Sequence, residues 1–283
     1  MATTSQTESF FQEYTSQDAI ERYTKATAGV GINYLLDHDY KKIYLEAIRS
    51  LPAGIRGKGL NILEFGCGGG MNLIHLVAVL QHEGIQVNKA VGTDFSPVLI
   101  EAARREAKQY LPKEDQGRVD FFVGKNETLA EDLGKALGKS KSEMADRFDL
   151  IFGVNTMRYC HRAKTELDCA KDILTLLVPG GVCVNIDMND RFLFFKSSLR
   201  NGIKTQQQRG HESFLPSLDE YAAPFSNAGF ELQRRAYFCW IPHSAGSAMC
   251  IILAMASPVL NLVANSRAMR SLVVAQKPGG GKK

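Results

Sequence analysis

The run Ile62–Gly70 (ILEFGCGGG) constrains this chain more than any other segment. Asn61–Phe65 is a short apolar stretch of strand length that breaks on glycine, and Met71–Gln81 behind it reads as a helix. A strand, a glycine turn and a helix in that order let the turn's backbone come close to a ligand, because glycine has no Cβ. The alternation continues with a strand Lys89–Thr93, a helix Pro97–Tyr110 and a strand Val119–Val123. Next come a lysine-rich segment, Asn126–Arg147, holding one helix and a polar loop, and a strand Phe148–Val154. After these follow a helix Lys164–Leu177, a strand Val182–Asp187, a helix Leu218–Ala228, and strands Phe230–Phe238 and Ser271–Gln276. Strands separated by helices of this length imply right-handed βαβ crossovers and a mostly parallel sheet, an α/β class. The final strand follows a long return and can insert antiparallel. Ahead of Lys58 the pattern is helical, over Ser9–Lys25 and Tyr40–Leu51, with AGVGINYLLDHD between them as a loop or broken helix.

The spacing of the glycines narrows the ligand. Gly66, Gly68 and Gly70 form GxGxG; the dinucleotide fingerprint needs its third glycine at position 71, which is Met71. No Lys-Ser/Thr follows, so the loop is not a P-loop. Glu64, two residues before the loop, would oppose a pyrophosphate but suits a ligand with an ammonium or sulfonium centre. The second strand ends in Asp94, where a carboxylate can accept both hydroxyls of a ribose. Read singly, Glu64 caps a loop and Asp94 caps the next helix; on consecutive strand ends beside a glycine loop they point to a nucleoside.

Taken together, ILEFGCGGG, VGTDFS, RFDLIFGVNTMRY and LLVPGGVCVNID stand in the order of four motifs of the class I S-adenosylmethionine (SAM)-dependent methyltransferases, which the chain resembles from Leu60 to Lys277. The resemblance implies a Rossmann-like seven-stranded sheet in order 3-2-1-4-5-7-6 with helices on both faces and strand seven antiparallel. It implies SAM as cofactor and S-adenosylhomocysteine (SAH) as product. By position, Gly66, Cys67, Gly68 and Gly70 would form the loop under the methionine part of SAM, with Glu64 holding the ammonium end through water or the loop. Asp94 would take the ribose and Phe95 the adenine. Asn126 follows strand three near the adenine amine; Lys125 stands where the family often has Asp. Asn155 would lie beside the methionine moiety. Tyr14, Arg22 and Tyr23 resemble a helical cover, with Arg22 placed to pair with the SAM carboxylate. The organisation expected is a cover over 1–57, a methyltransferase domain over 58–277 and a flexible tail over 278–283.

Methyl transfer from a sulfonium is an in-line displacement, so alignment of the acceptor matters most and a base is needed only for a protonated nucleophile. Acceptor-side residues are expected from the end of strand four, the loop after strand five and the two covers. These are Arg158, Tyr159 and His161, then Asn189, Asp190 and Arg191, then His211, Trp240 and His243. His161 and Tyr159 are the candidate catalytic pair; His75 and His82 read as structural and exposed. A non-methylating catalyst, regulator or scaffold with the same pocket is the alternative from another class, and a tRNA or protein methyltransferase a further one.

Composition excludes other classes. With 34 Lys+Arg against 30 Asp+Glu, the net charge of +4 gives no clustered basic stripe for nucleic acid. The fourth-strand motif reads GVNT, not the Pro-Pro-aromatic grip of amino-methylating DNA enzymes. The six cysteines show no metal spacing, and the opening MATTSQTESFFQEYTSQ lacks a signal-peptide pattern, so a cytoplasmic setting is expected. Ser244–Ser266 carries no charge but is broken by Pro258 and polar residues. It is expected to be an apolar lid, an interface or a helix touching a membrane surface, not a span. A small apolar or amphipathic methyl acceptor, methylated on oxygen, carbon or nitrogen by a monomer or homodimer, completes the expectation.

Overall fold

A computed structural model describes Thr24, residues 28–192 and residues 215–279. The seven strands are β1 (Leu60–Phe65), β2 (Val87–Asp94), β3 (Val119–Val123), β4 (Phe148–Val154), β5 (Leu177–Met188), β6 (Glu231–Phe238) and β7 (Arg270–Gln276). They form one sheet in order β3-β2-β1-β4-β5-β7-β6, parallel except that β7 runs antiparallel to both neighbours. The expected order and the inverted last strand are both observed. The strand order reverses between β1 and β4, where the crevice of an open α/β sheet forms.

Side chains alternate across each strand. In β1, Leu60 and Ile62 join one core cluster and Leu63 and Phe65 the other. The first face is covered by α1 (Val30–Tyr34), α2 (Lys41–Ser50), α3 (Met71–His82) and α4 (Pro97–Tyr110); the second by α5 (Leu129–Ala136), α7 (Glu166–Leu176) and α8 (Leu218–Ala228), with α6 (Met157–Ala163) before α7. Local signals set the ends of several of these. Ser96 accepts from Leu99 N ahead of α4, whose first residue is proline, and Ser217 with Glu220 forms a capping box on α8.

Three segments differ from the sequence reading. Residues 30–50 are helical throughout: a π-helical turn, Leu35–Tyr40, joins α1 to α2, and Leu35, Leu36 and Tyr40 are all buried against the sheet. Of the loop or broken helix expected there, the broken helix is observed, because those apolar side chains need the inner face. The MRYCHR stretch forms α6, which ends at Lys164 in the left-handed region (φ +61°), so the following helix starts two residues later than expected. β5 begins at Leu177 and not at Val182, since Phe148 pairs with Leu177 ahead of a register shift.

The long return between β6 and β7 carries α9 (Ser247–Ala264). Cys250 and Leu253 on one side of α9 are buried, while Met255 is 78% and Leu262 86% exposed. The helix expected over Ser9–Lys25, with Tyr14, Arg22 and Tyr23, lies outside the described residues, as does His211.

Candidate functional site

The strand period places Glu64 on the same face as Ile62, under α3. Its carboxylate is fully buried and accepts from Leu73 N at 3.0 Å and Asn72 Nδ2 at 3.1 Å. Burial pushes this carboxyl well above the usual range; the two donors pull it back and nearby Asp94 raises it further. Glu64 does not line the cavity. Asn72, which it holds, does.

The glycine loop turns through positive φ at Gly66 (+62°), Gly68 (+53°) and Gly70 (+78°). A Cβ on Gly66 would stand 2.1 Å from Thr156 Oγ1, and one on Gly70 2.9 Å from the Phe121 ring. Gly66 thus lets the loop touch the end of β4. Gly70 packs α3 onto the sheet and is not part of the cavity wall. Cys67 N donates to Thr93 O, which ties the loop to the tip of β2. There Asp94 accepts from Gly68 N through Oδ2 and from Ser96 N through Oδ1, both at 2.9 Å. Burial raises the Asp94 carboxyl and these two N–H groups oppose the shift. Each oxygen keeps a further lone pair for a ligand hydroxyl.

A cavity of about 470 Å³ opens along the carboxyl ends of the strands. Gly66, Cys67, Gly68, Asp94 and Phe95 line it beside β1 and β2; Asn126 and Asn155 belong to the loops after β3 and β4. Asn126 Nδ2 donates to Thr156 Oγ1 at 2.8 Å. Because β5 lies two strands beyond β1, Arg158, Tyr159, Met188 and His243 line the opposite part. Ile32, Leu35, Leu36 and Tyr40 from the N-terminal helices supply an apolar wall.

Asn155 holds a left-handed backbone (φ +57°) although it is not glycine, a conformation that non-glycine residues adopt mainly where the surroundings impose it. Its backbone N donates to Ile186 O, and its Oδ1 accepts from Arg270 Nη1. Arg270 is completely buried, and its Nη2 contacts His243 Nε2. Arginine can only donate, so Nε2 is the acceptor and the ring proton sits on Nδ1. Desolvation, Arg270 and Arg158 push His243 down to about 3. Its ring is open to the cavity, so the contact with a buried guanidinium is the firmer cause. His243 is therefore a neutral donor across ordinary pH. Arg158 lies over the Tyr159 ring, donates to its hydroxyl at 2.7 Å, and sits 4.0 Å from the buried Asp187 carboxylate.

Other expected residues stand elsewhere. His161 packs its Nδ1 3.2 Å from Glu166 Oε1 and is not on the cavity wall, because α6 turns it toward α7. Asn189 is buried and ties the β5 end to Ser266 O and Ala268 O. Trp240 is buried with its Nε1 donating to Asn261 Oδ1 at 2.7 Å, and Arg191 is an exposed neighbour of Asp190. Asn189 and Trp240 are joints of the fold, Arg191 is at the surface, and none of the three lines the cavity. His75 contacts Leu36 O, and His82 is exposed. Conversely, Asn72, Thr156 and the buried Arg270 were not singled out from the sequence. Only the LVV run after Arg270 marks that segment as a strand end, and nothing local marks its side chain.

Residues 63–183 match the family model described as a methyltransferase domain. The ubiquinone biosynthesis O-methyltransferase of Cereibacter sphaeroides (strain ATCC 17025) is 28% identical over 158 residues, 55% of this chain and 53% of the relative. The chain thus spans about half the length of the curated relatives it matches. Among solved structures, magnesium protoporphyrin IX methyltransferase from Synechocystis PCC 6803, with bound SAH, superposes with TM-score 0.57 at 12% identity, covering 96% of this chain and 99% of that one. The CMeT domain of the citrinin polyketide synthase gives 0.58 at 17% identity, over 93% and 58%. The [4+2]-cyclase SpnF gives 0.53 at 15%, over 85% and 81%. At these identities the structures establish the fold alone. The four motifs in order, the inverted seventh strand and the methyltransferase domain matched over residues 63–183 together support a class I SAM-dependent methyltransferase.

Proposed function

We propose that this protein binds SAM along the strand ends and transfers its methyl group to a small apolar or amphipathic molecule. One observation carries the reading: the Asp94 carboxylate joins the glycine loop to the β2 tip at the edge of a cavity of about 470 Å³. That volume is within the range of small-molecule and cofactor sites. The fit rests on Asp94, which accepts from Gly68 N and Ser96 N at the cavity edge and keeps lone pairs for a ribose diol.

SAM supplies an electrophilic methyl on a sulfonium; the rest falls to the chain. Gly66–Gly68 and Asn72 would hold the amino-acid end, Asp94 the ribose, and Phe95 and Asn126 the adenine. The acceptor would lie against Arg158, Tyr159 and His243, with Leu35 and Leu36 excluding water. His243, neutral and engaged through Nε2, orients an acceptor oxygen or nitrogen through Nδ1–H and does not serve as a base. Similarity to named O-methyltransferases supports an oxygen acceptor.

Calorimetric titration with SAM and SAH, and with Asp94→Ala as the comparison, tests the cofactor site. Binding of both, weakened at least about 100-fold in the variant by loss of two charge-assisted hydrogen bonds, is expected. A folded wild type that binds neither refutes the reading. Labelled SAM with a panel of phenols, carboxylates and polar amines then tests the acceptor; methylation of charged polar amines alone overturns the apolar class.

A further inference from the structure

We propose that α9 docks this protein on a phospholipid bilayer, lying in the interface with its aliphatic stripe among the acyl chains. At 100° per residue, Met249, Ile251, Ile252, Met255, Val259, Leu262 and Val263 fall within an arc of about 160°. Each is 51–86% exposed. Together they present on the order of 800 Å² of apolar surface, above the roughly 300–600 Å² of the largest patch on an ordinary monomer. No charged residue occurs between Ser244 and Ser266.

The helix is long and apolar enough to cross a membrane, but its anchoring forbids threading. Cys250 and Leu253 are buried against the body, Asn261 is tied to Trp240, and Asn189 holds Ser266 O and Ala268 O. Both ends return to β6 and β7, which pair directly with Phe238 opposite Arg270. One face therefore stays on the protein along the helix, and only the other is available. A bilayer interface accepts such a half-buried helix.

The chemistry of the stripe favours lipid over a second copy of the chain. An isologous contact of this area would carry about ten hydrogen bonds and be anchored by aromatic or arginine side chains. The stripe has only aliphatic and thioether groups, with nothing to fix a register, and acyl chains need none. Its position adds to this. α9 packs on α1, whose Val30 is 48% exposed and whose Ile32 lines the cavity; His243, four residues before α9, lines it too. On the proposed function, the docked face would set the acceptor side of the cavity beside the layer in which an amphipathic acceptor partitions.

The test is co-sedimentation of the full chain with neutral phosphatidylcholine vesicles and with vesicles containing phosphatidylglycerol, at low and high salt. It is read without cofactor or acceptor, so failure of the methyltransferase reading does not decide it. Met255→Ser/Leu262→Ser is the comparison, since both side chains are solvent-exposed and the fold does not need them. Wild type should bind neutral vesicles with little salt dependence, and the double variant should lose more than about tenfold in partitioning while keeping its Tm. Absence of binding to both vesicles, binding confined to anionic vesicles and abolished by salt, or equal binding by the variant each overturns the proposal. A dimer by light scattering that the variant dissociates, without vesicle binding, gives the stripe to a second copy instead.

Discussion

Replacing Gly66 by alanine isolates what the glycine loop requires. The residue has φ +62°, and its missing Cβ would lie 2.1 Å from Thr156 Oγ1, 2.7 Å from Thr156 Cβ and 3.3 Å from Cγ2. Left-handed backbone costs an alanine about 1–2 kcal/mol. Rotating Thr156 moves its hydroxyl away but breaks the 2.8 Å bond from Asn126, worth about 1 kcal/mol. Rotation also leaves the contact with Thr156 Cβ in place, so the loop or the end of β4 must shift. The sum is roughly 3 kcal/mol, a fall in Tm of about 5–10 °C for a domain of this size. Gly138→Ala is the matched control: φ is +66°, but nothing lies within 4 Å of the new Cβ, so only the backbone term remains. The assay is thermal unfolding of the three proteins with calorimetric titration of SAH. Gly66→Ala should lose both stability and SAH affinity, and Gly138→Ala about 1 kcal/mol of stability with affinity unchanged. Equal Tm values for the two variants, or undiminished SAH binding by Gly66→Ala, would refute the reasoning.

His243 gives a pH test with a definite sign. Its folded value, about 3, lies below the ordinary histidine value of about 6.5, so the unfolded chain takes up a proton that the folded site refuses. The contribution to stability is complete above about pH 6.5 and is lost as pH falls toward 3. His243→Gln should therefore lose less Tm than wild type between pH 7 and pH 5; equal losses contradict the neutral assignment. The raised carboxyls of Glu64 and Asp94 act in the opposite sense, but they are common to both proteins. Trp240→Phe removes the bond to Asn261 and leaves a void, and should lower Tm by several degrees with SAH affinity unaltered. A loss of SAH affinity without loss of Tm would instead place Trp240 at the site.

Strand and helix order was legible in the chain because each element repeats its apolar residues at its own period. The helix Pro97–Tyr110, the strands Val119–Val123 and Phe148–Val154, and the helix Leu218–Ala228 all carry start or stop signals within a few residues of their ends. The region of residues 30–40 was not legible in the same way. It follows Gly29, contains Gly31 and has no simple helical repeat, and it becomes helical because Leu35, Leu36 and Tyr40 find a sheet to cover. That sheet is assembled from strands far along the chain.

The site divides along the same line. Sequence alone determined the glycine loop and the carboxylates at the ends of the first two strands, since the turn follows from Gly66, Gly68 and Gly70 and each carboxylate is read from its own strand's end. It also determined that Ser244–Ser266 is uncharged. Tertiary structure alone decided which polar groups face the cavity. Glu64 turns under α3 while Asp94 faces the loop, His161 is drawn to Glu166, and Asn189 and Trp240 become joints. Arg270 meets Asn155 and His243 only because β7 inserts antiparallel beside β5, bringing together residues 115 and 27 positions apart in the chain. Backbone preferences are local and can be read from neighbours, whereas a side chain's partner is fixed by which strands pair, and that is settled by the packing of the whole sheet.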